Sequence, residues 1–118
     1  MLSFPASVRI YVAIGATDMR KSFDGLCGVV QDVLALDPYS GHVFVFCNRR
    51  RTILKMLVWD RSGFFLFGKR LEQGTYAWPD QEGDVASLRV TMKELMCILE
   101  GIDLRDARLR KRFARTSA

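Results

Sequence analysis

Three apolar or aromatic runs lie close together in the middle of the chain, His42 to Cys47, Thr52 to Trp59 and Phe64 to Lys69. Only Asn48-Arg49-Arg50-Arg51 and Asp60-Arg61-Ser62-Gly63 separate them. A parallel crossover needs a dozen or more residues, so connections this short make the three runs antiparallel neighbours. The middle of the chain is therefore expected to be a β-meander.

The flanking segments add a strand and two helices. Val8 to Ile14 is rich in β-branched residues and suits a strand, and Gly15-Ala16-Thr17 breaks it. From Phe23 the apolar positions Phe23, Leu26, Cys27, Val30 and Leu34 recur with helical spacing. Thr17 or Asp18 is the expected cap of that helix, and Asp37-Pro38 its end. Gly25 and Gly28 inside it each cost up to about 1 kcal/mol relative to alanine, which predicts another element packed closely against them. Tyr76 to Trp78 and Ser87 to Val90 are the expected fourth and fifth strands of the meander. Thr91 and Glu94 form a T-x-x-E capping box, Val90 and Leu95 a hydrophobic staple, and Met92, Leu95, Met96 and Leu99 a buried stripe that ends at Gly101. The predicted fold is α+β, an antiparallel sheet of four or five strands with two helices packed on one face.

With 118 residues, 49% of them hydrophobic, the chain buries roughly two-thirds of the surface of its unfolded form and needs neither metal nor disulfide to build a core. Cys27, Cys47 and Cys97 contain no C-x-x-C pair, and His42 is the single histidine, so a zinc site is excluded and the cysteines are expected to be reduced. No apolar run approaches the roughly 20 residues of a membrane span, and a cytoplasmic location is expected.

Charge divides the chain unevenly. Residues 105–118 carry six basic residues and one acidic one, whereas the preceding residues carry twelve of each. The expected organisation is one α+β domain over 1–104 and a basic C-terminal tail over 105–118. A basic tail on a neutral body favours contact with nucleic acid or another acidic partner, against the plainer role of a solubilising tail.

Enzymatic readings fail residue by residue. Gly63 to Lys69 spells G-x-x-x-x-G-K but lacks the final hydroxyl, and Phe64-Phe65-Leu66-Phe67 is a strand where a phosphate cradle needs a small-residue turn. Trp78-Pro79-Asp80 matches the acid loop of tyrosine phosphatases, yet no cysteine is followed six residues later by arginine. A lone histidine supports neither a two-histidine metal site nor a serine triad. Asp18, Asp24, Asp60 and Asp103 are the remaining route to a metal-dependent nuclease, and each has a simpler role at a cap, a turn or a solvated surface. No catalytic residue, metal or cofactor is assigned.

Basic residues carry the stronger signal. Arg20 and Lys21 are expected in the first turn of a helix, where an anion held by free N–H groups would offset their clash with the helix dipole. Arg49, Arg50 and Arg51 crowd a hairpin tip. Lys55 shares a strand face with Ile53, Leu57 and Trp59, and Lys69 shares one with Phe65 and Phe67, with Arg70 following. Basic side chains interleaved with aromatics on a sheet are how single-strand readers join phosphate neutralisation to base stacking. The tail adds Arg108, Arg110, Lys111 and Arg112.

Taken in order, Thr17-Asp18-Met19-Arg20-Lys21-Ser22-Phe23-Asp24-Gly25-Leu26, Ser40-Gly41-His42-Val43-Phe44-Val45-Phe46, Asn48-Arg49-Arg50-Arg51, Leu57-Val58-Trp59-Asp60, Lys69-Arg70-Leu71-Glu72, Trp78-Pro79 and Leu99-Glu100-Gly101-Ile102 form a recognisable set. Over about residues 5 to 104 the chain resembles the TnpB-type accessory proteins of the insertion sequence 66 family of transposable elements. It departs from the family pattern at Ser22, where glycine is usual, and at Cys47, where arginine is frequent. The resemblance implies a non-catalytic bacterial protein that assists DNA transposition, with DNA and the cognate transposase as expected partners and a homo-oligomer compatible with that role. A protein-only adaptor of the transposition complex is the alternative from the binding class, and a metal-dependent nuclease the alternative from the enzyme class.

Overall fold

The computed structural model describes residues 4–79 and 84–101. In chain order the elements are β1 (Ile10–Ala13), α1 (Phe23–Asp32), β2 (Val43–Cys47), β3 (Ile53–Asp60), β4 (Gly63–Arg70), β5 (Ser87–Val90) and α2 (Met92–Glu100). They form an α+β fold around one five-stranded sheet of order β4-β3-β2-β1-β5. The expected meander is present as β2-β3-β4, with antiparallel registers such as Val45↔Met56 and Met56↔Phe67.

The sheet is mixed rather than wholly antiparallel. β1 runs parallel to β2, with Ile10↔Val43 and Val12↔Val45. Residues 14–42, which include α1, supply the long crossover that a parallel pair requires. β5 does not extend the meander either. It pairs antiparallel with β1 at the opposite edge, Val12↔Leu88.

Contrary to expectation, the two helices lie on opposite faces of the sheet. Leu26, Val30 and Leu34 pack with Ala13, Phe44, Phe46 and Leu57, whereas Leu95 and Ile98 pack with Ile10, Val12, Val43, Val45, Cys47, Leu54 and Met56. The cause is written in β2, whose Val-Phe-Val-Phe-Cys sequence is buried at every position. A strand apolar on both faces needs cover on both, and each helix supplies one layer.

Tyr76 to Trp78 is not a strand. Tyr76 donates its N–H to the Arg51 carbonyl at 2.7 Å, and the Trp78 indole N–H donates to the Ala13 carbonyl at 2.9 Å. Both side chains join the core on the α2 side, so the segment that links one edge strand to the other also seals that layer.

α1 is shorter than its sequence pattern. It starts after Ser22, whose side chain makes no capping bond, and ends at Asp32, before the predicted stop at Asp37-Pro38. Nor does another element pack against its glycines. A β-carbon on Gly28 would meet nothing within 4 Å, and one on Gly25 would meet only the Lys21 side chain at 3.0 Å. α2 follows its capping signals closely, but its buried residues are Leu95 and Ile98, while Met92, Met96 and Leu99 of the predicted stripe are only half-buried. Thr91 Oγ1 accepts from the Glu94 N–H at 3.1 Å, Glu94 Oε1 accepts from the Thr91 N–H at 2.9 Å, and Gly101 ends the helix with φ 85°.

Candidate nucleic-acid interface

Arg20 and Lys21 precede α1 rather than opening it. The Arg20 guanidinium grips the Asp18 carboxylate, with Nη2 to Oδ2 at 2.7 Å and Nε to both oxygens at 3.0 and 3.1 Å, while the Arg20 N–H donates to Oδ1. Those hydrogen bonds hold the Asp18 carboxyl down at about 2. The turn is an internal ion pair in which Asp18 occupies the place predicted for a phosphate, and Asp18 serves Arg20 rather than a helix cap. Lys21 is exposed beside it.

The hairpin between β2 and β3 divides its three arginines. Asn48 organises the turn, accepting at Oδ1 from the N–H groups of Thr52 and Ile53 and donating from Nδ2 to the Thr52 hydroxyl. Arg51 sits in the left-handed region at φ 60°, with its guanidinium 5.4 Å from the Trp78 ring centroid and in reach of the Asn48 and Ile14 carbonyls. It braces the core. Arg49 and Arg50 stand exposed at the tip.

Lys55 and Lys69 face opposite ways. Lys55 lies on the α1 side and donates from Nζ to the carbonyls of Met19 and Lys21 at 2.8 and 3.0 Å. Lys69 lies on the α2 side and donates to the Leu99 carbonyl at 2.8 Å. The two lysine-aromatic faces read from the sequence are thus not one surface, and both ammonium groups hold backbone. Arg70 is exposed, 3.9 Å from the Glu72 carboxylate. Phe65 remains 53% exposed and stacks on Phe67 at 5.8 Å. Arg108, Arg110, Lys111 and Arg112 lie outside the described residues, as does Asp103.

Three further groups meet at the open end of β1. His42 heads β2, and its Nδ1 accepts the Arg9 N–H at 2.9 Å. Burial, followed by the charges of Arg9 and Arg89, lowers the His42 pKa. Arg9 and Arg89 also border a groove of about 520 Å³ whose walls include Phe4, Val8, Ile10 and Met92. Charge spacing alone does not reveal this group, because its members are 33 and 47 positions apart and meet only through the β1-β2 and β1-β5 pairings.

Among the described residues no group of three or more His, Cys, Asp or Glu side chains could hold a metal ion. Burial raises the thiol pKa of both Cys27 and Cys47, the opposite of what an attacking thiolate needs. Cys47 is fully buried and takes no part in the hairpin surface. No described helix is long and apolar enough to cross a membrane.

Comparison with known proteins places these features in a family. The sequence profile described as IS66 Orf2 like protein matches residues 8–109, reaching beyond Leu104. The uncharacterized protein y4hO of Sinorhizobium fredii (strain NBRC 101917 / NGR234) is 41% identical over 105 residues, covering 89% of this chain and 90% of the relative. The uncharacterized protein y4jC of the same strain is 33% identical over 103 residues, covering 87% and 86%. No solved structure matches the chain. On the match across residues 8–109 and these two relatives, the chain belongs to the IS66 Orf2 like family.

Proposed function

We propose that the chain is a non-catalytic accessory protein of DNA transposition that contacts DNA as part of the transposition machinery. The observation that carries this reading is family membership across nearly the whole domain, since the IS66 Orf2 like family is associated with transposition in an accessory role. Direct DNA contact draws support from exposed Arg49 and Arg50 at the hairpin tip and from the excess positive charge of residues 105–118. Arg70 and Lys21 add exposed positive charge on the body, whereas Arg20, Arg51, Lys55 and Lys69 have structural partners that any DNA contact would have to share. The cognate transposase is the second proposed partner.

A protein-only adaptor is favoured by one specific feature, the exposed Phe65 ring stacked on half-buried Phe67 of edge strand β4. The two readings part in a combined experiment. Transposition is measured in cells carrying the element with and without this chain, and purified protein is mixed with element-end DNA, random DNA and transposase at two salt concentrations. Loss of transposition together with salt-sensitive DNA binding is the expected result. Loss of transposition with transposase binding alone selects the adaptor, and unchanged transposition overturns the accessory role. Incubation of the protein and DNA with magnesium or manganese should leave the DNA uncut, and cleavage abolished by Asp60→Asn would overturn the non-catalytic assignment.

A further inference from the structure

Strand register assembles a surface that no single stretch of sequence contains. Ile10 lies opposite Val43, so the preceding residues Arg9 and His42 are neighbours, joined by the Arg9 N–H to His42 Nδ1 bond. Val43 lies opposite Val58, which puts Trp59 beside His42 on the other side, and Phe64 pairs with Trp59. Arg89 lies opposite Tyr11, one step along the same face. Side chains alternate along a strand, and Tyr11 and Phe64 both pack on the α1 layer. Arg9, His42, Arg89, Trp59 and Phe64 therefore share the α1 face of the sheet.

The strip is basic at one end and aromatic at the other. Arg9 and Arg89 are exposed, and among the described residues, where the ion pairs are Asp18 with Arg20 and Glu72 with Arg70, neither has a carboxylate partner. His42 Nδ1 accepts a backbone N–H, which fixes the neutral tautomer with its proton on Nε2, a donor. At the other end Tyr39 is 55% exposed and leans on Trp59 and Phe64 at centroid distances of 5.1 and 5.3 Å. Those two rings pack against the phenol ring, and the Asp37 carboxylate accepts the Tyr39 N–H.

We propose that this strip is the docking surface for a single strand of DNA, with Arg9, Arg89 and the His42 Nε2–H on its phosphates and Tyr39 stacked on a base. The inference rests on the DNA-contacting part of the function proposed above. Charge complementarity decides the occupant. Two guanidinium groups without a carboxylate partner among the described residues and one N–H donor call for an anion, and an exposed aromatic ring at the other end of the strip calls for a planar partner. A phosphodiester chain carrying bases supplies both. A polyanion would also offset the like charge of Arg9 and Arg89.

The test measures fluorescence anisotropy of the full chain with a labelled oligothymidylate of about 16 nucleotides and with a duplex of element-end sequence. Arg9→Gln with Arg89→Gln should weaken single-strand binding at least tenfold and reduce the salt slope, because fewer counterions are released. Arg9→Lys with Arg89→Lys should restore most of that binding. Tyr39→Ala should weaken it about fivefold or more through lost stacking and leave the salt slope unchanged. Circular dichroism confirms that each variant is folded. Single-strand binding unchanged in the double glutamine variant, or duplex bound more tightly than single strand by the unaltered chain, overturns the proposal. A chain that transposition requires but that binds no DNA overturns this surface and leaves the accessory role standing. A chain that transposition does not require overturns the accessory role whatever it binds.

Discussion

Lys69 Nζ donates a 2.8 Å hydrogen bond to the main-chain carbonyl of Leu99, so a side chain of edge strand β4 closes the last turn of α2. That turn has no basic residue of its own, and the ammonium meets the negative end of the helix dipole. Lys55 makes the equivalent tie on the opposite face, to two carbonyls of the turn that precedes α1. A lysine identified by its charge is in each case fixed by backbone oxygens.

Stability should follow that division of labour. Lys69→Met is expected to lower the unfolding free energy by about 0.3–1 kcal/mol, the range for a cation at an exposed helix end. Lys55→Met should cost more, about 1.5–3 kcal/mol, because a charged donor leaves two carbonyls of a partly buried turn. Urea unfolding measures both. Wild-type midpoints in both variants would mean that the ties contribute nothing.

α1 holds a glycine where space is open. Gly28 lies inside the helix, and an added β-carbon meets no atom within 4 Å. Gly28→Ala should therefore raise stability by about 0.5–1 kcal/mol through helix propensity alone. Gly25→Ala is the control. Its β-carbon would press on the Lys21 side chain at 3.0 Å, which offsets the gain, so thermal unfolding should show a rise for Gly28→Ala and a smaller one, or none, for Gly25→Ala.

Tyr76 governs the alkaline limb. Burial pushes its phenol up to about 12 from an ordinary value of 10.0, and its hydroxyl donates to the Lys69 carbonyl. The folded state thus favours the protonated phenol. Its contribution is fully present below pH 10 and is lost as pH rises toward about 12, where the unfolded chain has already released the proton. His42 acts in the opposite sense, since its lowered pKa makes its contribution present above about 6.5 and lost on acidification. Tyrosinate absorbance should show a late titration step, and Tyr76→Phe should remove it.

Local signals were legible in the sequence and long-range partnerships were not. The Thr91-Glu94 box and Gly101 determine α2 because a cap depends on residues three or four positions apart. The β2-β3-β4 meander was legible for the same reason, its connections being too short for any other pairing. The parallel β1-β2 pair and the placement of β5 beside β1 depend on where a long crossover returns, which local periodicity does not encode. One clue to the two-sided sheet was present, the unbroken apolar run Val43 to Cys47. A strand apolar at every position cannot leave one face of the sheet to solvent, so the two helices take opposite faces. Among the basic residues, Arg49 and Arg50 could be placed at a tip from turn chemistry, but the meeting of Arg9, His42 and Arg89 required the sheet order.

The hairpin arginines offer the sharpest separation of structure from surface. Arg51 contacts the Asn48 and Ile14 carbonyls and lies over Trp78, so Arg51→Ala should lower stability by about 1–2 kcal/mol through lost hydrogen bonds and the cation-π contact. Arg49→Ala with Arg50→Ala should leave stability unchanged within about 0.5 kcal/mol, because both side chains are exposed. If the tip has a fixed docking position, that double variant will lose binding to element ends or assembly with the transposase even with residues 105–118 present. Removing residues 105–118 should instead weaken binding to every DNA alike and flatten its salt dependence. Equal losses from both changes on every DNA would reduce the hairpin to bulk electrostatics, and an unfolding midpoint lowered by Arg49→Ala and Arg50→Ala would move those residues from the surface into the turn's own structure.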